Sequence, residues 1–178
     1  MTYFSVDVET TGLNPLLHDV TSLSIVEVVT ERHFSCRITE SLVGWRWDRE
    51  TKLWCEKNIS ASVDKLPLYT PSSAVIAINN FIEDFAKPSN FVAWPASFDY
   101  PFLQGVYIRA ALVDTWPFHY RTVDVKSMMM GKLSVDINVS RDVIGSDIWL
   151  EPEDPHNPYS DALAQALTFK KLWNNGHD

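Results

Sequence analysis

The chain has 178 residues, 46% of them hydrophobic and 12% aromatic, with a formal net charge of −8. That length and apolar content suit one domain, expected to span residues 1–178, and exclude a disordered chain. No apolar run reaches membrane length and no signal-peptide pattern opens the chain, so a cytoplasmic location is expected, while Cys36 and Cys55 lack metal-ligand spacing and read as free thiols.

In chain order, Thr2–Val8 reads as an opening strand. Val20–Thr30 reads as a second, with Leu23 and Ile25 on one face and Ser22 and Ser24 on the other. Arg32–Ile38 reads as a third, joined to it by a short connection suited to an antiparallel hairpin. Arg49–Lys57 reads as a short helix, followed by an irregular stretch up to Thr70. Thr70 caps a helix opened by Pro71, whose Ala74, Val75, Ile78, Phe81, Ile82 and Phe85 follow helical spacing. Phe91–Trp94 is a fourth strand, and a helix follows from about Pro101 to Leu112. Thr122–Val125 is a fifth strand, 132–155 shows no clear pattern, and Pro158–Trp173 closes the chain as a helix. Three strands followed by alternating helices and strands predict an α/β fold: a mixed five-stranded sheet with helices on both faces.

Four acidic residues stand out in three separated segments. Asp7 and Glu9 lie on the opening strand, Asp99 follows the fourth strand, and Asp161 lies near the start of the last helix. Each has an ordinary alternative. Alternating polar residues suit a solvated edge strand, and Asp99 and Asp161 suit the first turn of a helix. If the segments converge, four carboxylates share one small site and need cations to stay ionised. Hard oxygen ligands point to Mg²⁺ or Mn²⁺, and two such ions beside His156 make a phosphodiester-cleaving site.

These residues carry a family resemblance. Asp7-Val8-Glu9-Thr10-Thr11-Gly12 resembles the first motif of the DEDD exonucleases, which belong to the ribonuclease-H-like superfamily. Ser97-Phe98-Asp99, with Phe102-Leu103, resembles the second motif, and His156 five residues before Asp161 resembles the third in its histidine form. The tyrosine form would need a tyrosine at the position of Asn157. Trp47 to Trp54, with Trp94 and Phe98-Asp99, further resembles a bacterial and phage branch of single-domain exoribonucleases and exodeoxyribonucleases. The chain departs from that branch at Cys55, where a second tryptophan is usual, and at Pro95 and Ala96.

The resemblance implies a ribonuclease-H-like fold and a metal-dependent 3′–5′ exonuclease. Asp7, Glu9, Asp99 and Asp161 would hold two Mg²⁺ or Mn²⁺ ions, with Asp7 shared between them. His156 would take the proton of the attacking water, and imidazole, which titrates near about 6.5, suits that role. Nucleoside 5′-monophosphates would leave from the free 3′ end of RNA or single-stranded DNA. Thr10, Gly12, Leu13, Ser97 and Phe98 fall where the family contacts the terminal nucleotide, although Gly12 also suits a turn, Ser97 a helix cap and Phe98 the core. Trp45, Trp47 and Trp54 are candidates for stacking bases, and Asp124 resembles a further family aspartate with a supporting role. Several relatives form homodimers, and the aromatic content is compatible with one. A phosphodiesterase acting on dinucleotides or other small molecules would use the same groups, and turnover on strands of different length separates the two. A catalytically silent nucleic-acid-binding module should have lost an acid or the histidine, and the sequence keeps all five.

Overall fold

Strand β1 (Thr2–Thr10) runs through the middle of the protein and carries two of the four acids. The structure is a computed structural model and describes residues 1–39, 45–134, 136 and 148–174. Phe4, Val6 and Val8 of β1 are buried on one face, while Tyr3, Asp7 and Glu9 alternate onto the other and stay half-buried. β2 (Val20–Glu27) pairs with β1 antiparallel, and β3 (His33–Ile38) pairs with β2 antiparallel. β2 stops at Glu27 rather than Thr30. The Glu27 carboxylate accepts the N–H and hydroxyl of Thr30, and Glu31 takes a left-handed φ of 61°, which turns the chain.

α1 (Arg49–Asn58) is capped by Asp48, which accepts the N–H of Thr51 at 2.8 Å. β4 (Leu68–Tyr69) lies parallel to β3 and is a sixth strand, where the sequence predicted five and an irregular stretch. Two residues are too few to show an alternating pattern. α2 (Pro71–Glu83) has the predicted Thr70 cap and buries Ala74, Val75, Ile78 and Ile82. β5 (Ser89–Ala93) pairs parallel to β1. α3 (Ala96–Arg109) begins five residues before the expected Pro101. That proline sits inside the helix, where it removes a single backbone donor and mimics a helix start. β6 (Phe118–Asp124) pairs parallel to β5, and α4 (Val125–Leu133) follows at once, in a stretch the sequence leaves unassigned. α5 (Pro158–Asn174) closes the fold as predicted.

The sheet order is β4-β3-β2-β1-β5-β6. One apolar cluster joins Phe4, Val6, Leu23 and Ile25 to α2 and α3. A second joins Val26, Val92, Val125 and Met129 to Ala162, Ala166 and Phe169 of α5 on the opposite face. Helices therefore cover both faces, and Asp7 and Glu9 face the side that α5 covers. No helix among the described residues is long and apolar enough to cross a membrane.

Candidate active site

The three acidic segments converge at the end of β1. α3 starts directly after β5, the strand parallel to β1, which brings Asp99 in its first turn alongside. Asp99 is 3% exposed, and its Oδ1 accepts the N–H of Val8 at 3.1 Å. That bond seats it between Asp7 and Glu9 on the strand. Asp161, in the first turn of α5, is also buried, and its Oδ2 accepts the backbone N–H of His156 at 2.7 Å. One ligand atom each from Glu9, His156 and Asp161 lies within 4.8 Å of the others.

The charge is concentrated. Burial, and then the charges of Asp7, Asp161 and Asp99, push the Glu9 carboxyl up to about 9. Burial, and then Asp7, hold the Asp99 carboxyl well above the usual carboxylate range, against the stabilising N–H of Val8. Such a group of acids keeps protons at neutral pH unless positive charge enters.

His156 has a φ of 62°, in the left-handed region that a side chain disfavours. Its ring packs edge-on against Trp54 of α1, with centroids 4.6 Å apart. Beside it opens a cleft of about 480 Å³, lined by Glu9, Thr10, Leu13, Trp54, Cys55 and Phe98 among others. Leu13 is 77% exposed at its mouth, and Phe98 is half-buried against Phe102. Thr10 is buried and donates its hydroxyl to the carbonyl of Gly12. A β-carbon on Gly12 would meet the His18 ring at 2.4 Å, so any larger residue at this turn must displace that ring. Ser97 does not join this cleft. It is exposed and lines a separate one with Tyr100, Tyr120 and Asp124. Nor does it cap α3, whose N-cap position is Pro95.

Residues 2–173 match the family described as the 3′-5′ exoribonuclease Rv2179c-like domain. The chain belongs to that family. That family is described as one of 3′–5′ exoribonucleases. No curated protein matches the chain in sequence. Among solved structures, the zinc-bound complex of E. coli exonuclease I with single-stranded DNA superposes with a TM-score of 0.72 at 12% identity, covering 99% of this chain and 41% of that one. The same enzyme in complex with a dA16 oligonucleotide gives 0.68 at 12% identity, covering 98% and 41%. S. pombe Pop2p in its Mg²⁺- and Mn²⁺-bound form gives 0.64 at 13% identity, covering 98% and 83%. These likenesses establish a shared ribonuclease-H-like fold, and the chain spans about two fifths of the length of exonuclease I.

Some working parts of this exoribonuclease-like domain carry no sequence signal of their own. Gln165, 1% exposed on α5, donates Nε2 to Asp7 Oδ1 at 2.9 Å. Its one hint is a polar residue four positions after Asp161 on a mostly apolar face. Asp124 stands apart from the cleft and accepts the N–H groups of Ala96 and Ser127, each at 2.7 Å, which ties down the starts of α3 and α4. The cysteines are unreactive thiols: burial pushes Cys36 up to about 12 and Cys55 up to about 11.

Proposed function

We propose that this domain is a divalent-metal-dependent exonuclease that releases nucleoside 5′-monophosphates from the free 3′ end of RNA or single-stranded DNA. The observation that carries this reading is the convergence of Asp7, Glu9, Asp99 and Asp161, with the Glu9 carboxyl pushed up to about 9 by burial and by the other three. A set of hard oxygen donors that repel one another fits Mg²⁺ or Mn²⁺. The structural neighbours agree in kind: S. pombe Pop2p is in a Mg²⁺- and Mn²⁺-bound form, and E. coli exonuclease I is in complex with single-stranded DNA.

Asp7, Glu9, Asp99 and Asp161 would hold the ions. Two ions bound there would stabilise charge on the attacking and leaving oxygens of the phosphodiester. Asp7 is held for that role by Gln165. His156 accepts the proton of the attacking water on an imidazole nitrogen as the new P–O bond forms. The P–O3′ bond breaks, and the 3′ oxygen left on the shortened strand takes a proton from solvent. Leu13, Phe98 and Trp54 offer apolar surface to the terminal base, and stacking of that kind is tolerant of sequence. The acidic surface gives little purchase on a duplex, which agrees with a grip confined to one strand end.

The test compares linear RNA and DNA single strands, labelled at either end, with a circular single strand and a dinucleotide, in Mn²⁺ and in chelator. Mononucleotides should appear from the 3′ end of the linear strands in Mn²⁺ alone, and the circle should survive. Efficient cutting of the circle, or undiminished turnover in chelator, would refute the reading.

A further inference from the structure

The loop that carries His156 is stitched to the exit of α1, which lies far away in sequence. Ser60 donates its hydroxyl to Asp154 Oδ2 at 2.9 Å, across 94 residues of chain. Ser62 donates its hydroxyl to the same oxygen. Asn157 Nδ2 donates to that oxygen at 3.1 Å and to Ser62 Oγ at 2.6 Å. The backbone N–H of Ser60 reaches the His156 carbonyl at 3.5 Å. The donors from Ser62, Ser60 and Asn157 hold the Asp154 carboxyl below its usual range, so the acceptor stays ionised and strong.

This junction encloses an unfavourable backbone. His156 sits at a φ of 62°. Left-handed backbone at a non-glycine residue persists only where its surroundings over-determine it. One restraint is its own N–H on Asp161, and the Ser60–Ser62–Asp154–Asn157 group supplies another through the Ser60 N–H on the His156 carbonyl. Trp54, on the helix that leads into Ser60, closes against the ring. The helix that walls the cleft therefore also fixes the histidine.

We infer that Ser60, Ser62, Asp154 and Asn157 form a polar clamp whose job is to position the His156 ring for proton transfer. They are positioning residues: none of them lines the cleft beside Glu9. The inference rests on the reading of His156 as the base.

The test measures kcat, KM and Mn²⁺ affinity by calorimetry for Asp154→Ala and for the milder Ser62→Ala, each in the wild-type and in the His156→Ala background. Misplacing a reacting group by about 1 Å can cost roughly 10²-fold in rate. Asp154→Ala should lose up to about that much in kcat, with KM and Mn²⁺ affinity unchanged, and Ser62→Ala less. Asp154→Asn, whose amide oxygen still accepts from both hydroxyls, should recover part of the loss. In the His156→Ala background Asp154→Ala should cost nothing further, since groups acting through one another are not additive. If Asp154→Ala does not fold, Ser62→Ala decides. Wild-type kcat in the folded clamp variants, with His156→Ala slow, overturns the clamp alone. So does a loss that persists undiminished without His156. Wild-type rates for His156→Ala would instead overturn the base, and the clamp with it.

Discussion

Gln165 Nε2 donates a hydrogen bond of 2.9 Å to Asp7 Oδ1 from one turn beyond Asp161 on α5. One helix thus supplies one carboxylate and orients another that stands on β1. A neutral amide does this without adding charge. A lysine or arginine at the same place would neutralise Asp7 and compete with a cation. The fixed carboxyl is held in one orientation before any ligand arrives, and outer partners of this kind tune the groups they touch.

Gln165→Leu removes the donor at similar volume. Losing such a partner typically costs about 10–100-fold in metal affinity or activity. We expect that loss in Mn²⁺ calorimetry and in turnover. Folding stability should fall by about 1–3 kcal/mol, because Asp7 Oδ1 is left without this buried donor. Wild-type Mn²⁺ affinity and turnover together in the variant would show that the bond serves packing alone.

The proton on Glu9 makes the metal-free protein sensitive to pH. Its carboxyl moves from 4.5 to about 9 on folding, through burial first and then through Asp7, Asp161 and Asp99. Above the lower value the unfolded chain releases this proton, and the folded chain keeps it until the higher one. Stability is therefore complete below the lower value and declines as pH rises toward the higher. The Tm of the metal-free protein should fall across about pH 5 to 8. Glu9→Gln should flatten much of that slope, and saturating Mn²⁺ should flatten it too, because the ionised form binds the cation. A Glu9→Gln variant with the full wild-type slope would contradict this account.

How much of this was legible in the sequence depends on how local each signal is. β1, the Thr70-capped α2 and α5 carry their own periodicity or caps, and the sequence places them nearly to the residue. β4 has only two residues, and Pro101 disguises the true start of α3. The four acids and His156 are visible because acidic residues interrupt apolar runs in a recognisable order. Ser60 and Asp154 meet only because the fold closes 94 residues of chain onto itself, and neither residue type announces a partner. Ser97 shows the converse, since its place beside Asp99 suggests the cleft, while helical geometry turns it toward Tyr120.

Asp124 should matter for stability more than for chemistry. It accepts the N–H of Ala96 through Oδ2 and of Ser127 through Oδ1, serving two helix starts at once. Removing a capping side chain costs about 0.5–2 kcal/mol. Asp124→Ala should therefore lose about 1–3 kcal/mol in chemical denaturation. Asp124→Asn, which keeps one acceptor oxygen, should fall between. The folded fraction of either variant should still bind Mn²⁺ through the four other acids. A stable Asp124→Ala that has lost Mn²⁺ binding would move Asp124 from scaffold to site.

His156→Ala separates proton transfer from metal holding. The side chain lies close enough to Glu9 and Asp161 to serve as a ligand, so the two roles need a direct comparison. As the base, the histidine should be worth about 10²–10⁴-fold in rate. All four carboxylates remain in the variant, and Mn²⁺ affinity by calorimetry should change little. Removing the ring also frees the edge of Trp54, which packs against it at 4.6 Å, so any small change in KM should trace to the cleft wall. Trp54→Phe should then reproduce that KM change with a much smaller loss of kcat. A His156→Ala variant that turns over at the wild-type rate would remove the base. One that no longer binds Mn²⁺ would make His156 a ligand instead, joined to Glu9 and Asp161 in the arrangement the site already shows.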